Sequence, residues 1–276
     1  MFAKILGRLL FASGLAGLGV LSLWFGDFAL SWQPVPDWVP GRTPLAYVSG
    51  VLLLAGGVAL LGRRTAVAVR AAAVMAIFLT SWLVLLQAPR VATSPGDVGR
   101  WLGVGETLVL VTGGWVLFIE LKKRIATGGG RFVANEKGLR TALVLFAVAL
   151  PLIGLSHFVY VDATAGMVPA WLPERRTFAY LTGAGHMAAG LGLLFGIVPR
   201  LAATMEAAMI SGFVVLLHVP GVLAAPRDRL QWTMLCVAMA LNGASWVVAG
   251  SFAGEAWGKR RQLRSASAVD VARATG

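Results

Sequence analysis

The sequence holds one cysteine, Cys236, and three histidines among 276 residues, and only 13% of its residues are charged. A single thiol excludes an intrachain disulfide and a dithiol redox centre, and Cys236 reads as a small packing residue inside an apolar stretch. So little charge excludes an ordinary soluble domain of this length. Acidic residues are scarce, 12 against 24 Lys and Arg, which gives a formal net charge of +12. That excess does not describe a nucleic-acid surface, because the basic residues sit at the ends of apolar stretches with no basic soluble domain behind them. Anionic lipid is the partner this arrangement fits.

What the chain has in place of charge is hydrophobic length: 58% of its residues are hydrophobic and its mean hydropathy is +0.78. Eight apolar stretches can be read, at 5–24, 44–61, 66–86, 102–119, 141–160, 177–197, 201–219 and 230–252. Each is long enough to cross a hydrocarbon core of about 30 Å. The first, with Lys4 and Arg8 at its start, has the flavour of a secretory signal, but the fifth is its counterpart in a second copy of the same unit, so it is expected to be retained. Of the 24 Lys and Arg, only Arg42, Arg90, Arg100, Arg175, Arg176, Arg227 and Arg229 fall on the side opposite the N-terminus, leaving 17 on the N-terminal side. Positive residues favour the cytoplasm, so both termini are expected inside. Strong use of Ala, Gly, Val and Arg over Lys points to a bacterial chain and therefore to the plasma membrane.

The chain is a tandem duplication. Val35-Pro36-Asp37-Trp38-Val39-Pro40 matches Val168-Pro169-Ala170-Trp171-Leu172-Pro173, and Ala46-Tyr47-Val48-Ser49-Gly50 matches Ala179-Tyr180-Leu181-Thr182-Gly183, at an offset of 133. Farther on, Leu85-Leu86-Gln87-Ala88-Pro89 matches Leu216-Leu217-His218-Val219-Pro220, Asp97 matches Asp228, and Trp101 matches Trp232, at an offset of 131. Self-similarity of this kind marks a repeated structural unit. The expected fold is all-α, with eight transmembrane helices forming two parallel four-helix bundles. The expected division is a first repeat at 1–125, a cytoplasmic linker at 126–137 containing Gly128-Gly129-Gly130, a second repeat at 138–254 and a basic tail at 255–276. Within the spans the abundant glycines are expected to let helices approach closely. In each copy the proline-bounded loop carrying Trp38 or Trp171 is expected to lie along the outer interface as a lid.

All three histidines lie in the second copy, which makes that copy the place to look for function. At about 1.5 Å per residue, His157 lies about 24 Å and His218 about 26 Å from the inner ends of their spans, while His186 lies about 14 Å from the outer end of its own. A four-helix bundle allows His157, His186 and His218 to converge on one outward-opening cavity under Trp171, joined by Tyr160 and Thr182, each about one turn from a histidine. The first copy has Asp27, Leu53 and Gln87 in the corresponding places. Ionisable groups inside a membrane are costly and usually face a bundle interior. Imidazoles beside an apolar cleft could exchange protons with a quinone headgroup. Bis-histidine haem ligation lacks an attachment motif or paired-histidine spacing, and a metal site is not expected because no carboxylate is evident at the depth of His186. Glu206 and Glu106 are expected on opposite halves of the membrane, isolated, each pairing with Asn242, a backbone group or an arginine.

Ser156-His157-Phe158, Pro169-Ala170-Trp171-Leu172-Pro173, Tyr180-Leu181-Thr182-Gly183 and Gly190-Leu191-Gly192-Leu193-Leu194 together resemble the DoxX superfamily of small four-helix bacterial membrane proteins. The likeness covers most of 141–250 and, more weakly, the first copy, so the chain resembles a fused double-DoxX protein. Family members include the membrane subunit of a thiosulfate:quinone oxidoreductase, so the resemblance implies a redox-linked, quinone-interacting subunit with a soluble or membrane redox partner. Many relatives carry Glu where this chain has His186. A non-catalytic membrane scaffold or assembly factor, and a small-solute carrier, are the alternative readings.

Overall fold

The computed structural model describes residues 2–126 and 136–258; most of the expected linker and tail lies outside the described residues. The described residues are helical throughout, with no strand. Four long helices form the first repeat: α1 (Phe2–Phe25), α2 (Arg42–Leu61), α3 (Thr65–Thr93) and α4 (Val98–Ala126). The second repeat holds α5 (Glu136–Val159), a short α6 (Val161–Met167), α7 (Arg175–Leu194), α8 (Pro199–Ala224) and α9 (Arg229–Ser251). Among them, α1, α2, α3, α4, α5, α8 and α9 are long and apolar enough to cross a membrane. Helix α7 is 20 residues long, as α2 is, but Arg176 and His186 add to its polar content and dilute its apolar character.

Local geometry repeats as the sequence does. Helix α3 contains one π-helical turn at Leu83–Gln87, and α8 contains one at Val214–His218. Pro89 and Pro220 stand two residues beyond these turns. A proline removes a ladder N–H and its ring clashes with the carbonyl four residues back, so the widened turn lets each helix continue past the break. The next loop closes alike in both copies: Trp101 Nε1 donates to the Pro95 carbonyl and Trp232 Nε1 to the Pro226 carbonyl, each at 2.8 Å. Asp97 and Asp228 accept from the first-turn amides of Gly99 and Leu230.

Helices pack in chain order within each half of the chain, and the two halves also pack against each other. The most extensive contact joins α1 to α9; α4 packs on α5, and α4 and α9 meet between them. Each repeat's last helix is therefore closed against the other repeat's first. Small residues make the approach possible. A Cβ on Gly14 would fall 2.5 Å from the Ala240 amide nitrogen, and one on Gly7 would fall 2.6 Å from that of Val247.

A polar clamp ties the same two helices at the opposite end. Arg42 and Arg229 both pair with Asp27, the latter at 3.1 Å, and Arg229 also donates to the Phe28 carbonyl at 2.7 Å. Burial opposes ionisation of Asp27, but the Phe28 amide and the two guanidinium groups outweigh it and hold the carboxyl below its ordinary pKa of 3.8. A depressed carboxyl pKa contributes stability above the unfolded-state value and loses it as pH falls through the folded one. The thermal midpoint should therefore drop as pH is lowered through 3.8 and below, and Asp27→Asn should flatten that acid limb while lowering stability at neutral pH. An Asp27→Asn protein with the parent's acid profile would show that the clamp contributes nothing.

Candidate functional site

A cavity of about 650 Å³ opens between α4 of the first repeat and α5, α7, α8 and α9 of the second. Its wall is mostly apolar, and its polar groups are few. His157, Tyr160, Thr182, His186 and His218 all line it, so five of the six expected residues are brought together. Trp171 is not among them: it is 71% exposed and faces outward. Val168, Pro169 and Leu172 of the same loop, with α6, line the cavity in its place. The loop therefore meets the cavity through these residues and not through its tryptophan.

His186 is buried deepest, at 2% exposure, and its Nδ1 lies 2.8 Å from Oε1 of Glu206, which is as fully buried. This corrects the expectation of an isolated Glu206 with no carboxylate near His186. The hairpin geometry supplies the reason. His186 stands eight residues before Leu194, where α7 ends, and Glu206 seven after Pro199, where α8 begins, so antiparallel helices leaving one tight turn bring them level. Asn242, the alternative partner for Glu206, bonds instead with Ser211 at 3.0 Å. The remaining polar atoms of the pair, Nε2 of His186 and Oε2 of Glu206, are buried without a hydrogen-bond partner among the described residues. Unsatisfied buried polar atoms are uncommon and call for a ligand, a water or a function.

His157 stacks edge-on against His186, with ring centroids 5.1 Å apart. Its Nδ1 lies 3.0 Å from the Thr182 hydroxyl, which is itself within 3.0 Å of the Phe178 and Ala179 carbonyls. A hydroxyl that donates to a carbonyl must accept from the imidazole, so Nδ1 of His157 carries the proton and Nε2 of the neutral ring is an acceptor. His218 reaches the cavity from the π-helical turn of α8. Tyr160 sits at the rim, where its hydroxyl accepts from the Gly99 amide at 3.1 Å and donates to Asp97 at 3.3 Å, tying α5 to α4.

The first repeat completes the wall with Gly99, Leu102, Glu106 and Val109 of α4 and with Trp32, from the 3-10 turn after α1; Glu106 and Trp32 bring its polar side-chain atoms. Glu106 lines the cavity with His186 and Trp32, and Trp32 Nε1 is a further buried donor without a hydrogen-bond partner among the described residues. Neither was legible in a copy-by-copy reading, because each reaches the site across the repeat boundary. By the 131 and 133 offsets, the first copy has Leu53 for His186, Met75 for Glu206, and Val237 stands where Glu106 would. All three are essentially fully buried. The ionisable groups are replaced together, as members of one unit would be. Among the described residues no group of three His, Cys, Asp or Glu side chains is arranged to hold a metal ion.

Residues 146–249, most of the second repeat, match a family described as a domain of unknown function (DUF8561). No curated protein and no solved structure matches the chain.

Proposed function

We propose that the chain is a DoxX-like, redox-linked membrane subunit that binds a quinone-type headgroup in the histidine cavity and exchanges protons with it. The observation that carries this reading is the buried His186–Glu206 pair at the wall of a large apolar cavity. A quinone needs an apolar cleft for its ring and tail, hydrogen-bonding groups for two oxygens, and a residue that gains and loses protons near neutral pH. Here Nε2 of His157, an acceptor, would take the hydroxyl proton of the reduced headgroup, Nε2 of His186 would meet its other oxygen, and Glu206 holds the His186 ring through Nδ1. Electrons would come from a soluble or membrane redox partner. A cavity lined by three histidines favours this over a scaffold with a sealed apolar interior.

In the same reading α7 is the eighth span, so that eight transmembrane helices form two parallel bundles with shared walls in a bacterial plasma membrane, both termini cytoplasmic. Protein purified in mild detergent from a quinone-containing membrane is expected to retain extractable quinone near one per chain, and added quinone should quench the tryptophan fluorescence less in Trp32→Phe than in the parent. Protein that neither retains nor takes up quinone would remove the redox reading in favour of the scaffold.

A further inference from the structure

A second cleft lies at the other end of the molecule, between the start of α1, the turn joining α2 to α3, and the end of α4. It encloses about 140 Å³, and its polar groups are Lys4, Arg8, Arg63 and Glu120. Glu120 is committed to Lys4 at 2.5 Å and to Lys123 at 3.3 Å. Arg8 donates to the carbonyls of Leu60 and Gly62 at the end of α2. Arg63 is exposed at the rim and forms no ion pair among the described residues. Three cations thus face one carboxylate, and the cleft has room for a small anion.

Its flank decides which kind of anion. Ile5 and Leu9, one turn apart on α1, and Leu61 at the end of α2 all line the cleft and are more than 40% exposed. An apolar strip running down the helix faces from a cationic cleft suits an amphiphile, whose phosphate sits among the cations while its chains lie along the strip. A free anion would have no use for the strip.

We propose that this cleft is a binding site for the headgroup of an anionic phospholipid. The site is independent of the histidine cavity, and it predicts effects of both signs. Native mass spectrometry of the delipidated full chain, titrated with phosphatidylglycerol, phosphatidylcholine of the same chains, or inorganic phosphate, tests it. The parent should bind phosphatidylglycerol about tenfold more tightly than phosphatidylcholine. Arg63→Gln, at an exposed position the fold does not use, should reduce that preference several-fold. Glu120→Gln, which removes the competing carboxylate and frees Lys4, should increase it, whereas Arg175→Gln at the far end should leave it unchanged. Equal binding of the two lipids, an unaltered preference in Arg63→Gln, or weaker phosphatidylglycerol binding in Glu120→Gln would each overturn the proposal. Inorganic phosphate that binds as tightly as the lipid and displaces it would assign the cleft to free phosphate and overturn the lipid site.

Discussion

His186→Leu alone should cost the protein both its ligand and much of its stability, whereas His186→Leu combined with Glu206→Met should restore stability and leave the ligand site empty. The single change leaves Glu206 buried without its partner, and stranding a buried polar group in this way costs about 1–3 kcal/mol. The double change installs the combination that the first copy already buries at Leu53 and Met75. Replacing both partners of a buried hydrogen-bonded pair by packed apolar residues can be nearly neutral or stabilising. Thermal unfolding followed by tryptophan fluorescence gives the first readout, and quinone retained per purified chain gives the second. Loss of ligand in a well-folded double variant assigns the histidine to binding. A double variant that keeps quinone like the parent would sink the role given to His186, and a single variant as stable as the parent would show that the pair carries little energy.

That experiment depends on a feature half legible in the sequence. The repeat could be read because its punctuation is chemical: prolines after Gln87 and His218 force the same π-helical turn, and Trp101 and Trp232 close the same loop. Helix rise gave approximate depths for the histidines, and their convergence was expected from a four-helix bundle. The His186–Glu206 pair needed a different measure of depth, counted from the turn the two helices share; spans measured from separate entry points accumulate error from tilt and from uncertain ends. Glu106 and Trp32 lay beyond any such arithmetic. Glu106 reaches the site because α4 packs against α5, Trp32 from the turn after α1, and contacts across a repeat boundary leave no periodicity to read. Trp171 was misplaced because its preference for an interface gives a level in the membrane without a direction.

The seam between α1 and α9 should be the most sensitive place in the fold to the addition of a single methyl group. A Cβ at Gly243 would fall 2.0 Å from the amide nitrogen of Phe11 and 2.5 Å from its Cα. Backbone atoms cannot swing aside as a flexible side chain can, so Gly243→Ala must push two helices apart along their whole contact. Overpacking of this kind costs about 1–3 kcal/mol and occasionally more. The helix-propensity gain of Ala over Gly, about 1 kcal/mol, works in the opposite direction and is expected to lose, because lipid offers no hydrophobic drive to hold separated helices together. Gly166→Ala in α6, where nothing lies within 4 Å of the added carbon, isolates the propensity effect and should leave the melting temperature unchanged or slightly raised. Gly243→Ala should lower it by several degrees and reduce quinone retention as well, since α9 forms part of the cavity wall. If Gly243→Ala melted like Gly166→Ala, α1 and α9 would not be packed backbone to backbone, and the closure of each repeat against the other would have to be abandoned.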